Sequence, residues 1–162
     1  MTPRLAMAER ISIGVISDTH GLLRPEAVDV LRRSDLLIHA GDVGKPEVLT
    51  ALGDIAPTIA VRGNVDKGTW ADALASSEVV EAGSHYLYVL HDIADLDLDP
   101  AAAGFAAVVF GHSHRPLAEN RDGVLYLNPG SAGPRRFKLP VTVAKVSVSG
   151  ADLTHEIVAL DV

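Results

Sequence analysis

Three apolar runs in the first half of the chain each end in a polar cluster. Residues 11–17 are apolar and β-branched and lead into Asp18-Thr19-His20-Gly21, which predicts a buried strand followed by a loop. Residues 36–40 end in the same way at Gly41-Asp42, and residues 58–61 end at Gly63-Asn64-Val65-Asp66. Helices are predicted between these strands, at 26–33 behind Pro25 and at 46–53. This alternation predicts a parallel sheet with helical cover.

The second half of the chain predicts a further set of strands. Residues 78–81 and 86–90 flank Ala82-Gly83-Ser84-His85, which predicts a hairpin with His91 at its exit. A short helix is predicted at 101–104, and the apolar run 107–110 ends in Gly111-His112-Ser113-His114. Turn sequences separate the last runs, which are expected to be antiparallel strands that complete a second sheet. These runs are 125–127, 141–148 and 153–160.

Composition narrows the class of protein. The 162 residues contain no linker, which fits one domain at 11–162 behind a flexible tail at 1–10. A net charge of -7 and an aromatic content of 4% argue against duplex nucleic acid as a partner. The most apolar segment, 101–111, is about half as long as the ~20 residues of a membrane span, so a cytoplasmic protein without membrane contact is expected. Because cysteine is absent, any metal must bind nitrogen and oxygen ligands.

All the polar clusters follow the carboxyl end of a predicted strand, where open α/β sheets bind their ligands. Asp18 and His20 are two residues apart, as are His112 and His114. A locally extended backbone would point both members of each pair in one direction. The candidate metal ligands are Asp18, His20, Asp42, Asn64, His91, His112 and His114.

A ligand set of Asp, Asn and His suits divalent transition metals better than calcium. Manganese is the preferred ion, with iron, zinc, nickel and cobalt as alternatives. The set is larger than one tetrahedral ion needs, which favours two ions. Two ions bridged by a carboxylate would share a hydroxide as nucleophile and clamp a phosphoryl group in line with it.

In content and order, these motifs resemble those of the calcineurin-like metallophosphoesterase superfamily. The compact size and the turn Asn128-Pro129-Gly130-Ser131 are similar to its small YfcE-type phosphodiesterase branch. The resemblance implies an α/β fold, a single-domain four-layer α/β/β/α sandwich of two mixed sheets with flanking helices. It also implies two metal sites that share Asp42 as a bridge. Asp18, His20, Asp42 and His114 would hold one ion, and Asp42, Asn64, His91 and His112 the other.

The chain departs from the family pattern at two positions. Many members carry a histidine after the Gly-Asn pair that protonates the leaving group, and this chain has Val65. General acid catalysis worth about 10²- to 10⁴-fold would then be missing, and good leaving groups would be favoured. The family commonly has glycine after its lone histidine, where Asp92 follows His91. Asp92 would either contact a metal-bound water or face solvent.

Further polar residues have weaker assignments. Asp42, Asn64, Asp66 and His91 are the catalytic candidates; Asp66 would orient a ligand or water, or else cap a turn. Asn64, Arg62 and Arg135 are the candidate substrate contacts, and Arg136 is a further cation whose role is left open. His39 is expected to be buried and hydrogen-bonded, His85 and His155 to lie on the surface, and Trp70 to serve packing.

Three functions compete. The leading hypothesis is a metal-dependent phosphodiesterase that acts on a small phosphoester, with homo-oligomers left open. The alternative is a scaffold or binding module similar to a retromer subunit of the same fold, with little or no catalysis. A nuclease is the third, but such relatives usually need an added DNA-binding domain, and this sequence has neither the length nor the basic face that we would expect of one.

Overall fold

The computed structural model describes residues 10–162, so the predicted tail lies outside the described residues except for Arg10. Four short helices and ten strands occur in this part of the chain. The helices are α1 (Pro25–Leu31), α2 (Pro46–Gly53), α3 (Thr69–Asp72) and α4 (Pro100–Ala103), with a 3-10 helix at Ile93–Asp95. The strands are β1 (Ile11–Ile16), β2 (Leu36–His39), β3 (Thr58–Ala60), β4 (Ser77–Ala82), β5 (His85–Leu90), β6 (Ala107–Val109), β7 (Leu117–Arg121), β8 (Val124–Asn128), β9 (Thr142–Ser149) and β10 (Asp152–Ala159).

The first sheet has the strand order β10-β9-β1-β2-β3. Strands β1, β2 and β3 are parallel, with Ile13 opposite Leu36 and Leu37 opposite Thr58. The connections between them are α1 and α2, each of which begins with a proline, whose fixed φ suits the first helical turn. The strand and helix alternation predicted from the sequence is therefore confirmed.

Strands β9 and β10 do not belong to the sheet predicted for them. We expected them to complete the second sheet, but β9 pairs antiparallel with β1, with Ile13 opposite Val146, and β10 pairs with β9. The alternation of apolar residues identifies a strand without identifying its neighbour. Because β2 covers only one edge of β1, the other edge accepts the returning chain.

The second sheet has the strand order β4-β5-β6-β8-β7. The predicted hairpin is β4 and β5, joined through Gly83 and Ser84. Strands β6 and β8 pair in parallel with Ala107 opposite Leu125, so β8 is not wholly antiparallel as we expected. Strand β7 was missed because all five of its residues are exposed and it lacks an apolar alternation. The short α3 and the 3-10 helix were missed as well.

The two sheets face each other across the main core, where side chains such as Val15, Ile38, Leu87 and Leu127 are fully buried. On the outer face of the first sheet, α1 and α2 bury a second apolar cluster. The outer face of the second sheet is covered by Ile93 and its neighbours after β5. This order confirms the four-layer sandwich, with a thin fourth layer. None of the helices between residues 10 and 162 has the length and hydropathy of a membrane span.

Candidate metal centre

The loops that follow β1 and β2 are joined by backbone hydrogen bonds. Asp18 donates its N–H to the carbonyl of Gly41 at 3.0 Å, and His20 donates to the carbonyl of Asp42 at 3.0 Å. In the second sheet, Gly111 donates to the carbonyl of His91 at 2.9 Å. The polar clusters predicted from the sequence are therefore brought together at one edge of the sandwich.

The backbone of the predicted ligands is left-handed. Among the described residues, seven non-glycine residues have positive φ, and five of them are predicted ligands. The extended backbone expected at Asp18 and His20 is therefore wrong. Such conformations cost about 1–3 kcal/mol each and occur mainly at functional sites. The five residues are Asp18 (φ 55°), His20 (φ 48°), Asp42 (φ 56°), His112 (φ 74°) and His114 (φ 63°).

Two glycines allow these loops to approach closely. A Cβ at Gly63 would overlap the backbone nitrogen and carboxylate of Asp42. A Cβ at Gly111 would overlap the hydroxyl of Ser17 and lie 2.6 Å from Oδ2 of Asp18. Glycine at both positions is therefore a steric requirement of the carboxylate placement.

The Asp18 carboxylate is fully buried and only half satisfied. Its Oδ2 accepts the Ser17 hydroxyl at 2.7 Å and the His112 N–H at 3.1 Å. Its Oδ1 has no hydrogen-bond partner among residues 10–162. Burial alone would raise the pKa of Asp18, but the His114 imidazole 3.3 Å from Oδ1, the Ser17 hydroxyl and the charge of His91 together lower it. An ionised oxygen thus faces the interior of the site.

The Asp42 carboxylate lies between two groups of histidines. Its Oδ1 accepts the N–H of Val65 at 3.1 Å. Its Oδ2 lies 3.2 Å from Nε2 of His91 and 3.7 Å from Nε2 of His20. Burial opposes ionisation of Asp42, but the nearby His91 imidazole and the hydrogen bond from the Val65 N–H lower its pKa. Asp42 is placed where a bridging ligand would stand.

His91 is oriented by the backbone of the first sheet. A carbonyl oxygen only accepts, so the 2.8 Å contact with Ala40 fixes the proton on Nδ1 of His91. Nε2 then points into the site and is buried without a hydrogen-bond partner in the described residues. Burial lowers the pKa of His91, but the Asp42 carboxylate, 3.2 Å from Nε2, and the charge of Asp18 raise it above its usual value.

The donor atoms fit divalent cations. Asp18, His20 and His114 offer ligand atoms within 4.8 Å of one another, and a second group does the same. Oδ1 of Asp18 and Nε2 of His20 are both buried and unsatisfied within residues 10–162, a costly arrangement that a bound cation would relieve. Nε2 of His114 lies 3.3 Å from that Asp18 oxygen. The second group consists of Asp42, His91 and His112.

A cleft of about 480 Å³ opens beside the second group. Asn64, His91 and His112 line it, so the seventh predicted ligand lies on the same side as its expected partners. Arg62 also lines the cleft, and its guanidinium donates to the carbonyl of Leu74 at 3.1 Å. Asp92, the departure from the family pattern, lies 3.6 Å from Nε2 of His112. Asp92 therefore turns toward the site.

Asp66 is buried and binds three backbone N–H groups. It accepts from Gly63 at 2.9 Å, from Val43 at 3.1 Å and from Gly44 at 2.9 Å. These bonds tie the loop after β3 to the loop after β2, which carries Asp42. The geometry favours the turn-capping interpretation of Asp66, and its catalytic role stays a prediction.

His39 is fully buried beneath the loops, as expected. Its Nδ1 accepts the N–H of Gly41 at 3.1 Å, so its proton is on Nε2, which donates to the Thr19 hydroxyl at 3.0 Å. Thr19 in turn donates to the carbonyl of Val43 at 2.9 Å. Burial lowers the pKa of His39 to about 4, so the imidazole is neutral at neutral pH.

The remaining predicted residues lie outside the cluster. Arg135 donates to the carbonyls of Leu139 and Val162, which points it to the C-terminal segment; its substrate role stays a prediction. Arg136 is the nearer cation: burial lowers the pKa of His20, and the charge of Arg136 adds to that effect. His155 is exposed and His85 is half-buried, while Trp70 packs against the helical layer.

Two supporting residues were not predicted individually. The buried Asn128 amide donates to the carbonyl of Gly111 at 3.1 Å and to the Ser113 hydroxyl at 3.2 Å. The Ser131 hydroxyl donates to the carbonyl of Asp18 at 3.0 Å. Both belong to the turn at 128–131, whose sequence was noted without a role.

Comparison with known proteins agrees with this geometry. The family model described as the calcineurin-like phosphoesterase superfamily domain matches residues 11–151. The chain belongs to this superfamily. It is 34% identical over 158 residues to a probable metallophosphoesterase of Methanothermobacter thermautotrophicus, and the match covers 90% of this chain and 91% of that protein. Membership of the calcineurin-like superfamily makes the chain one of a family of phosphoesterases that use divalent metals.

Solved structures of the superfamily share the fold. The Escherichia coli phosphoesterase YfcE has a TM-score of 0.68 at 22% identity, covering 93% of this chain and 100% of YfcE. An archaeal phosphodiesterase has a TM-score of 0.75 at 22% identity, covering 91% and 100%. Vps29 from Chaetomium thermophilum has a TM-score of 0.76 at 17% identity, covering 93% and 96%. At these identities the likeness concerns the fold.

Proposed function

We propose that this protein is a metal-dependent phosphodiesterase with two divalent cations in its centre. The observation that carries the proposal is the set of buried, unsatisfied atoms around Asp42, namely Asp18 Oδ1, His20 Nε2 and His91 Nε2. Buried polar atoms normally have partners, so three in one place point to ligands of an ion. Asp18, His20, Asp42 and His114 would hold the first cation, and Asp42, Asn64, His91 and His112 the second.

The chemistry follows from these donors. Divalent cations supply positive charge for the phosphoryl oxygens and lower the pKa of water. The chain contributes the fixed orientation of the ligands: Val65 holds one oxygen of Asp42, and Ala40 holds the imidazole of His91. Arg62 and Asn64 line the adjoining cleft, and in this proposal they contact a phosphate group of the substrate. Manganese is the proposed ion, with iron, zinc, nickel or cobalt as alternatives.

Preference for a diester is the finer part of the proposal. It is supported by the fold shared with an archaeal phosphodiesterase and by the open cleft, which has room for the second arm of a diester. The side chain after Asn64 is Val65, which is 42% exposed and supplies no proton. We therefore expect substrates whose leaving groups depart as stable anions.

A scaffold function is the second candidate, because the fold is shared with Vps29. The two functions differ in what they require of the buried polar groups. A scaffold needs no convergence of unsatisfied donors, whereas a metal centre does. The ligand geometry therefore favours the enzyme.

The test is hydrolysis of bis(p-nitrophenyl) phosphate by metal-stripped protein after Mn²⁺, Ni²⁺ or Zn²⁺ is restored. We expect turnover only with metal, and a loss of about 10²-fold or more in kcat for Asp42→Asn. Asp54→Asn, which changes an exposed aspartate outside the cleft, is the matched control and should keep wild-type activity. Absence of metal-dependent turnover, or an undiminished Asp42→Asn variant, would favour the scaffold.

A further inference from the structure

The cleft beside His91 and His112 has an acidic wall. Asp92, Asp95 and Asp97 all line it, and they come from one short segment after β5. Asp92 is engaged, since one of its oxygens accepts the N–H of Ala94 at 3.0 Å and the other faces His112. The carboxylates of Asp95 and Asp97 are exposed and form no hydrogen bond or ion pair with any residue between 10 and 162. They are available to a ligand.

The rest of the lining is not cationic enough to balance this wall. Among residues 10–162, Arg62 is the single arginine or lysine in the lining, and its guanidinium already donates to the carbonyl of Leu74. Tyr88 and Ser77 are also among the lining residues. Three carboxylates and an aromatic ring around one opening are the elements that bind ammonium groups in proteins.

The cleft is also continuous with the proposed metal centre. His91, a side chain only 5% exposed, is one of the lining residues, and its Nε2 is unsatisfied within residues 10–162. A phosphodiester bound through its phosphoryl oxygens at that atom's metal would extend one of its two arms into the cleft. The negative charge of the wall therefore determines which charge on that arm is favoured.

We infer that the cleft accepts a phosphodiester whose retained arm is a cationic amino alcohol, with an alkylammonium group facing Asp95 and Asp97. This inference rests on the proposed function and names its substrate class. An arm with a second phosphate or a carboxylate would meet like charges and be disfavoured. A neutral arm would gain no attraction from the wall.

Exposure to solvent limits how strongly the acidic wall can favour a cationic arm. Asp95 and Asp97 are exposed, so each attraction is weak and is reduced by salt. We expect a preference of roughly tenfold for the cationic arm at low ionic strength, shrinking as salt is added. The preference should appear mainly in KM, because the arm is bound equally before and during reaction.

The experiment compares two substrates with the same leaving group. One is p-nitrophenyl phosphorylcholine, and the other is p-nitrophenyl 3,3-dimethylbutyl phosphate, in which carbon replaces the ammonium nitrogen. The metal-loaded wild-type protein should prefer the choline substrate in kcat/KM by about tenfold. The double variant Asp95→Asn/Asp97→Asn should reduce the preference to about twofold or less. Asp54→Asn is the control for an exposed aspartate elsewhere and should keep it.

A second measurement does not depend on turnover. Choline should perturb the NMR resonances of Tyr88 in metal-free protein, whereas 3,3-dimethylbutanol should not, and the double variant should lose the response. Equal rates on the two substrates, or a preference that survives in the double variant, would overturn the inference. If bis(p-nitrophenyl) phosphate is still hydrolysed in that case, the phosphodiesterase itself stands; if no diester is hydrolysed, the proposed function fails independently.

Discussion

Nε2 of His91 lies 3.2 Å from Oδ2 of Asp42, while Nδ1 of the same ring donates its proton to the carbonyl of Ala40. In the neutral ring, a nitrogen lone pair would therefore face a carboxylate oxygen. A positive charge must lie between them, either a second proton on His91 or a metal ion. Proton and metal compete for one position.

This competition predicts that metal binding releases protons. Burial lowers the pKa of His91, but the Asp42 carboxylate, the charge of Asp18 and the Ala40 carbonyl together raise it above its usual value, so the metal-free ring keeps its second proton to a higher pH. The pair stabilises metal-free protein fully below about pH 6.5, and this stabilisation is lost as the pH rises through the folded pKa. Mn²⁺ affinity should fall by up to about tenfold per pH unit below that pKa. Calorimetry in two buffers of different ionisation enthalpy measures the proton release, and identical heats in both buffers would contradict it.

The buried His39 predicts that the stability of metal-free protein changes with pH in the opposite direction. Its pKa is lowered to about 4, so the unfolded chain binds a proton that the folded chain refuses as the pH falls from 6.5. This single group should remove about 2 kcal/mol of the free energy of unfolding between about pH 7 and about pH 5. His39→Gln should be less stable at about pH 7, because Gly41 loses an acceptor, and should lose less stability on acidification. Urea unfolding of both proteins at the two pH values measures how much the free energy of unfolding of each changes with pH. If wild type and His39→Gln lose the same amount on acidification, His39 is not a buried neutral histidine.

Variants of Asp66 distinguish a role in positioning the loops from a role in catalysis. Its carboxylate accepts three backbone N–H groups, so Asp66→Ala should cost about 3 kcal/mol or more of stability and weaken metal binding through the Asp42 loop. If Asp66 only positions the loops, the pH profile of kcat in Asp66→Asn should keep the wild-type shape while kcat falls. Loss of one limb of the profile would instead identify Asp66 as a proton-transferring group.

The presence of Val65 after Asn64 predicts that the rate of hydrolysis depends steeply on the leaving group. Wild-type protein should hydrolyse nitrophenyl diesters far faster than alkyl diesters, because no side chain at this position donates a proton. Val65 is 42% exposed, so Val65→His should fold and should raise the rate on alkyl diesters by about tenfold or more. Val65→Leu is the control for size and should leave the selectivity unchanged. Comparable wild-type rates on alkyl and nitrophenyl diesters would show that another group supplies the proton.

The sequence predicts the convergence of the candidate ligands better than it predicts the pairing of the strands. The ligands follow apolar runs, so the carboxyl ends of β1, β2 and β6 could be located from alternation and glycine alone. The pairing of the strands could not be predicted in this way, because Val146 has the pattern of a strand residue whichever strand it pairs with. The left-handed backbone at Asp18 and His20 was also missed, since it is imposed by hydrogen bonds to the distant Gly41 and Asp42.

The supporting contacts were the least predictable part. Asn128 reaches Gly111 across 17 positions, and Ser131 reaches Asp18 across 113. No local pattern encodes such pairs. Asp66 was noticed for its charge, yet its three acceptor bonds depend on two loops that meet only in the folded chain.

We propose that one cluster of Asp, Asn and His side chains holds a pair of divalent cations. Equilibrium dialysis of metal-stripped protein against Mn²⁺, with bound metal counted by mass spectrometry, measures this stoichiometry. We expect about two ions per wild-type chain, fewer for Asp42→Asn, and about two for Asp54→Asn. If no metal is bound at saturating Mn²⁺, or if the Asp42→Asn variant binds as many ions as wild type, the proposed pair of cations at this cluster is wrong.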